Sequence, residues 1–232
     1  MVTEVRTRWM GARRIIPSRH PPIALYEQVS NAADLDAVFY IEGLTDDRVR
    51  EERGLLANVA PEDRMVGPSA QYIMPAFTRI NLNGSRFSDG SYGVFYAGAD
   101  LQTAVAETVY HQTRFLRDSD RGLVRDIQMR AYAVDVDSVL ADLRHDALPE
   151  DISAVEIYDP ENYAGAQRVG VQLRKEGCNG VRYQSVRRPA GECVGLFKPK
   201  TVTRCVQGEL LAYHWNGEVI AGVDHTQPLD WR

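Results

Sequence analysis

Residues 85–111 read SRFSDGSYGVFYAGADLQTAVAETVYH, and this stretch organises the rest of the chain. Its pattern predicts a strand at Arg86-Phe87, a glycine-rich turn, a second strand over residues 93–97 and an amphipathic helix from Leu101 to about Leu116. Asp100 directly precedes that helix, and its carboxylate can accept hydrogen bonds from the first free backbone amides. The sequence therefore predicts a strand–turn–strand–helix unit.

Three side chains of this unit have chemistry that suits an anionic, aromatic ligand. Arg86, Tyr96 and Glu107 lie on three different predicted elements. A guanidinium can grip a pyrophosphate through a bidentate fork, and a tyrosine ring can stack on nicotinamide or adenine. A carboxylate can stabilise the positive charge that develops when a glycosidic bond breaks. Each residue alone is more often an ordinary surface or core residue, so the residues alone rank NAD cleavage among several hypotheses.

Composition limits the class of protein. The 232 residues are enough for one large domain, and 44% hydrophobic and 25% charged residues are typical of a soluble globular chain. The net charge of -5 argues against a general nucleic-acid binder. Three cysteines, an odd number, indicate reduced cytosolic thiols and no disulfide framework. Because no signal peptide or membrane-spanning stretch is visible, we expect a cytoplasmic protein without a membrane partner.

Charge is distributed unevenly along the chain. Residues 31–64 hold nine acidic and four basic residues, whereas residues 160–204 hold three acidic and nine basic ones. The two segments are either solvated faces of opposite sign, or the basic one flanks a site for an anion. The acidic segment reads as helical. We favour a helical layer packed on a sheet for it, with a partner surface as the alternative.

The remaining pattern predicts an α+β protein without internal repeats. Helices are predicted over residues 32–42, 69–77 and 160–176, and strands over residues 126–137, 181–185, 193–197, 202–206, 209–215 and 218–223. We predict one compact domain made of an N-terminal extension and helical region (1–80), a catalytic core (81–223) and a loose tail (224–232).

Several familiar sites are missing from the sequence. There is no HExxH, CxxC, Walker A loop, GxGxxG after a strand or GxSxG elbow. Glu107 and His111 are four residues apart and share a helix face, which is too little to predict a metal site. We therefore predict no metal.

The stretch 85–111 resembles the RES-domain family, together with RRIIPSRHPPIALYEQV at residues 13–29 and GCNGVRYQSVRRPAGECVGLFKP at residues 177–199. The family is named for Arg, Glu and Ser residues that its members share. By motif, Arg86, Tyr96 and Glu107 match the family's arginine, tyrosine and glutamate, and Ser185 matches its serine. The acidic helices over residues 31–78 make the chain similar to the longer members.

The resemblance implies a fold similar to that of ADP-ribosyltransferases, with a mixed, mostly antiparallel split sheet flanked by helices. It implies NAD as a substrate, with no cofactor. Arg86 would hold the NAD phosphates with help from Arg187 or Arg188, and Tyr96 would stack on the nicotinamide. Glu107 would bind the ribose hydroxyl and stabilise the oxocarbenium ion.

Two further residues receive roles, Ser185 from the resemblance and Arg19 from its place in the chain. Ser185 would hydrogen-bond the nicotinamide or its ribose. Arg19 lies in a proline-bounded loop and is either a further phosphate contact or a surface arginine.

Three functions stay open at this point. The first is an NAD-consuming toxin that breaks the nicotinamide–ribose bond by hydrolysis or phosphorolysis. The second is mono-ADP-ribosylation of a specific protein, and the third is a non-catalytic NAD-binding module. Because the family includes toxins of RES–Xre toxin–antitoxin pairs, the resemblance also implies an Xre-family helix-turn-helix antitoxin that covers the site and forms a hetero-oligomer with the toxin.

Overall fold

The computed structural model describes residues 2–19, 22, 24–119, 126–149 and 152–226. The strands are β1 (Glu4–Pro17), β2 (Phe95–Gly98), β3 (Ile127–Asp142), β4 (Gly180–Gln184), β5 (Glu192–Leu196), β6 (Val202–Trp215) and β7 (Ile220–Thr226). The helices are α1 (Leu25–Gln28), α2 (Leu35–Glu42), α3 (Asp47–Leu56), α4 (Ala70–Ile73), α5 (Pro75–Thr78), α6 (Leu101–Asp118), α7 (Ala154–Ile157) and α8 (Ala164–Lys175).

The strands form one sheet in the order β1-β2-β5-β4-β3-β6-β7, and β1 also pairs with β3. The pairing of β3 with β4 is parallel, and the other pairings are antiparallel. β1 pairs with β3 from Glu4 to Pro17 but meets β2 through one residue pair, Arg13 and Gly98. Five strands thus close into a ring. The predicted α+β class, with a mixed and mostly antiparallel sheet flanked by helices, is confirmed.

Three groups of buried side chains hold the helices on the sheet. α1–α5 pack on one group that includes Phe39, Leu56, Phe95 and Val134. α7 and α8 pack on a second group around Phe87, and α6 covers a third group formed with β1, β3 and β6. The acidic segment is therefore a helical layer against the sheet, as we favoured from the sequence.

A buried carboxylate stabilises this helical layer from within. Glu52 on α3 is fully buried and accepts hydrogen bonds from the hydroxyl groups of Tyr26 and Thr78, both at 2.8 Å. Arg79 adds an ion pair at 3.1 Å. Glu52 therefore has a structural role, because it links α3 to α1 and α5 in a place where an unpaired charge would be costly.

Several predicted elements differ from the observed ones. Arg86 is not on a strand: it lies in a tight turn closed by a bridge between Ser85 and Ser88. The two strands predicted over residues 202–215 are one strand, because a one-residue bulge opposite Arg130 and Tyr132 replaces the expected turn.

The first residues of the predicted tail also differ from the prediction. Residues 224–226 continue strand β7, and residues 227–232 lie outside the described residues. Residues 4–17 of the predicted N-terminal extension form β1, which belongs to the same sheet as the strands of the predicted core. Within the described residues, no helix is long and apolar enough to cross a membrane.

Candidate active site

Helix α6 carries Glu107, and its start is held firmly. Asp100 accepts a hydrogen bond from the Thr103 amide at 2.8 Å, so the predicted N-cap is confirmed. The Arg188 guanidinium donates to both oxygens of Asp100, at 2.7 and 2.9 Å. Burial alone would raise the pKa of Asp100, but the bonds from Thr103 and Arg188 lower it. The loop after β4 is thereby attached to the N-terminus of α6.

A cavity of about 720 Å³ lies beside α6, and its size suits a cofactor-sized molecule. Its walls come from β1, β2, the turn that holds Arg86, one face of α6 and the start of α8. Arg86, Tyr96 and Glu107, which lie on separate pieces of the chain, all line it.

Arg86 presents a buried positive charge to the cavity. It is 7% exposed, its Nη1 donates to the carbonyls of Ile157 at 2.9 Å and Asp159 at 3.0 Å, and its guanidinium lies 4.4 Å from the Tyr163 ring centre. Within the described residues it has no carboxylate partner, and its Nε and Nη2 form no hydrogen bond. A buried cation that forms no ion pair with a described carboxylate favours an anionic ligand.

Tyr96 is attached to the same turn through its hydroxyl group. That oxygen accepts a hydrogen bond from the Phe87 amide at 2.9 Å and shares another with Ser85 Oγ at 2.8 Å. Burial raises the pKa of Tyr96 to about 12, so the phenol is neutral at physiological pH. Gly195, which faces Tyr96 across the β2–β5 pair, leaves room for the ring, since a Cβ there would lie 3.1 Å from Tyr96 Cε1.

Glu107 is oriented by Ser185, which is 78 residues further along the chain. Ser185 Oγ donates to Glu107 Oε1 at 2.7 Å and accepts hydrogen bonds from the amides of Arg187 at 3.1 Å and Arg188 at 3.0 Å. These contacts use the single proton and both lone pairs of the hydroxyl. Glu107 Oε2 has no hydrogen bond to any residue that the structure describes, so it is available to a ligand. Contact of Ser185 with nicotinamide or ribose stays a prediction.

The three other arginines that the sequence predicts as phosphate contacts, Arg19, Arg187 and Arg188, are not among the residues that line the cavity. Arg187 packs on the Tyr110 ring, 3.3 Å from its centre, and donates to the Pro160 carbonyl. Like Arg188, it is outside the cavity lining. The Arg19 guanidinium lies 5.3 Å from the centre of the Phe115 ring on α6, also outside the lining, and its phosphate-binding role stays a prediction.

Several residues that line the cavity received no site role from the sequence. Arg14 on β1 donates to the Tyr96 carbonyl at 3.0 Å and lies over the Phe95 ring, and Tyr163 stacks on Arg86. Residues 13 and 14 fall within a block that resembles the RES family, but nothing in their spacing indicates that β1 lies beside β2. The Tyr163 contact depends on how α8 packs, which no local pattern encodes.

The described residues contain no group of three or more His, Cys, Asp or Glu side chains that could hold a metal ion. The thiol of Cys193 lines the cavity, but burial raises its pKa to well above its ordinary range, which makes it a poor nucleophile. The reactive groups of the cavity are thus carboxylate, imidazole, phenol and guanidinium.

Comparison with known proteins places these features in a family. A chain from the crystal structure of the M. tuberculosis MbcT–MbcA toxin–antitoxin complex aligns with 91% of this chain and 87% of its own length, at 11% identity and a TM-score of 0.48. The uncharacterized protein y4oC of Sinorhizobium fredii (strain NBRC 101917 / NGR234) is 30% identical over 208 residues, which are 90% of this chain and 84% of that protein. The model of the RES domain matches residues 62–216. This chain is therefore a member of the RES domain family.

Proposed function

We propose that this protein is an NAD-consuming toxin that cleaves the nicotinamide–ribose bond of NAD by hydrolysis or phosphorolysis. Membership of the RES domain family supports the proposal. The observation that carries it is the convergence of Arg86, Tyr96 and Glu107 on one cavity, with Ser185 bonded to the glutamate. We also propose that an Xre-family helix-turn-helix antitoxin binds the protein and neutralises it.

The proposed reaction divides the work among these groups. Arg86 binds the pyrophosphate of NAD through Nε and Nη2, the donors that no described residue uses. Tyr96 packs on the nicotinamide ring. The C–N glycosidic bond breaks, its electron pair goes to the nicotinamide nitrogen, and the ring leaves as neutral nicotinamide.

Glu107 acts on the ribose. Its carboxylate lies where positive charge develops on the sugar, and it binds a ribose hydroxyl through Oε2. Because Ser185 holds Oε1 at 2.7 Å, the carboxylate is oriented before the substrate arrives. A charge that is already positioned needs no reorganisation during the reaction, and such preorganised electrostatics typically contribute a factor of about 10²–10³ to the rate.

Purified protein and NAD test this function, with free nicotinamide as the readout. Glu107→Gln keeps the shape of the side chain and an acceptor for Ser185 but removes the charge, so we expect nicotinamide release to fall by about 10²–10³-fold. Glu51→Gln is the matched control, because Glu51 is an exposed carboxylate on α3 outside the cavity, and it should leave the rate unchanged. Release at the wild-type rate by Glu107→Gln would contradict the assignment.

The same reaction with labelled NAD identifies the acceptor of the ADP-ribosyl group. Free ADP-ribose indicates hydrolysis, and its phosphorylated form indicates phosphorolysis. A labelled protein band after incubation with cell lysate would indicate mono-ADP-ribosylation instead. NAD binding by calorimetry with no nicotinamide release would indicate a binding module.

Expression in bacteria tests the toxin role. The wild-type chain should lower cellular NAD and arrest growth, whereas Glu107→Gln should do neither. Co-expression of the proposed antitoxin should restore growth, and the two chains should elute together from a sizing column. Growth arrest by Glu107→Gln at matched protein levels would separate toxicity from NAD loss and contradict the proposal.

A further inference from the structure

His111 lies one helical turn after Glu107, on the same face of α6, and both line the cavity. The structure also describes His145, His214 and His225, and of these four histidines His111 is the one that lines the cavity. Its position is therefore next to the carboxylate on which the proposed bond cleavage depends.

The imidazole of His111 is available to a molecule in the cavity. Its ring meets the Tyr110 ring edge-on, with the ring centres 5.3 Å apart. Neither ring nitrogen forms a hydrogen bond with the part of the chain that the structure describes. By contrast, both ring nitrogens of His214 meet carboxylates, those of Asp126 and Asp224. A neutral imidazole needs a donor or an acceptor at each nitrogen, and water or substrate can supply both.

Loss of hydration, with the neighbouring arginines, lowers the pKa of His111 and favours its neutral imidazole. The shift of this pKa is downwards from the ordinary value of 6.5, although His111 as a residue is exposed. Glu107 opposes this shift, whereas Arg187, Arg86 and Arg114 add to it. The two arginines outside α6 come from the turn at residues 85–88 and the loop after β4. At neutral pH the imidazole can therefore accept a proton.

We infer that His111 is the general base that activates the water which accepts the ADP-ribosyl group. The inference rests on the proposed function and names a catalytic residue for it. Water attacks the anomeric carbon of the ribose as the C–N bond breaks towards nicotinamide. A C–O bond forms, the water proton moves to an imidazole nitrogen of His111, and the imidazolium then releases that proton to solvent. The products are nicotinamide, ADP-ribose and one proton, so atoms and charge balance.

The test compares nicotinamide release by the wild type and His111→Asn in phosphate-free buffer. Asparagine keeps polarity and approximate size but cannot take up a proton at neutral pH. We expect kcat to fall about 100-fold, within the range usual for a general base, and the affinity for NAD measured by calorimetry to stay within about twofold. His225→Asn is the control, since His225 is exposed on β7 and outside the cavity, and it should match the wild type.

Two further readouts distinguish a base from a residue that only supports the fold. Because the pKa of His111 is lowered, the wild-type rate should hold through pH 6.5 and decrease only at lower pH, where protonation removes the base, and His111→Asn should lose this decrease. Sodium azide is a nucleophile that needs no deprotonation, so it should restore nicotinamide release to His111→Asn and form the glycosyl azide.

Each outcome bears on one of the two claims. A wild-type rate and pH profile in His111→Asn, together with a slow Glu107→Gln, would overturn the role of His111 and leave the proposed function intact. A slow His111→Asn that azide does not restore would also overturn it. Absence of nicotinamide release from the wild type would overturn the proposed function itself.

Discussion

Replacing Ser185 with alanine removes the one hydrogen bond that orients Glu107 within the described part of the chain. The variant leaves the carboxylate in the cavity but frees it to rotate. A hydrogen bond to a charged group contributes about 1.5–3 kcal/mol, and about 1.4 kcal/mol corresponds to a factor of ten in rate. If the proposed reaction needs the carboxylate in this orientation, nicotinamide release should slow by about 10- to 100-fold.

The assay must separate this effect from loss of folded protein. Ser185→Ala also removes the acceptor for the amides of Arg187 and Arg188, which should cost about 1 kcal/mol and lower the Tm by a few degrees. Calorimetry measures that shift, and the rate is measured well below the Tm. Ser185→Thr keeps the hydroxyl group and should recover part of the activity.

Ser91→Ala is the matched control, since Ser91 is exposed and its hydroxyl bonds only to Asp89 among the described residues. It should leave both the rate and the Tm unchanged. A kcat for Ser185→Ala within twofold of the wild type would refute the reasoning, because it would mean that the carboxylate works without its hydrogen-bond donor.

Two stability predictions follow from close contacts elsewhere in the fold. In Gly170→Ala the new Cβ would lie 2.3 Å from the Phe87 carbonyl oxygen, so α8 must move away from the turn that holds Arg86. We expect a loss of about 1–3 kcal/mol in unfolding free energy by urea titration, whereas Gly54→Ala, where the Cβ meets nothing within 4 Å, should be neutral or stabilising. Equal stability of the two variants would contradict this packing. Glu52→Ala removes the acceptor of the buried Tyr26 hydroxyl and one of the two acceptors of the Thr78 hydroxyl. The substitution should lower the free energy of unfolding by about 2–6 kcal/mol. In a chain of this size about 1 kcal/mol shifts the Tm by at least about 2 °C, so a smaller shift would contradict this prediction and would mean that water replaces the carboxylate.

The misplacement of Arg86 on a strand has a physical cause. Residues 85–88 close on themselves through hydrogen bonds between the backbones of Ser85 and Ser88, and the Phe87 amide donates to the Tyr96 hydroxyl. A strand would need those amides for a neighbouring strand. The hydroxyl that accepts from the Phe87 amide comes from residue 96, so the local pattern of residues 84–90 does not reveal this bond of the turn.

The continuous strand β6 illustrates the same limit. Gly208 lies between two apolar runs and reads as a turn. Both halves of β6 pair with β3, however, and the extra residue of β6 forms a bulge. Whether a glycine ends a strand or bulges within it depends on the partner strand, which is more than 60 residues away in the sequence.

By itself, the sequence determined the features that depend on near neighbours. Helix α6, its cap at Asp100 and the shared face of Glu107 and His111 follow from helical periodicity and from amides that need acceptors within a few residues. The tertiary structure alone decided how distant segments meet. It brought Ser185 to Glu107, Arg188 to Asp100, and β1 to the cavity wall, because hydrogen bonds and packing across such separations are selected by the closure of the whole sheet.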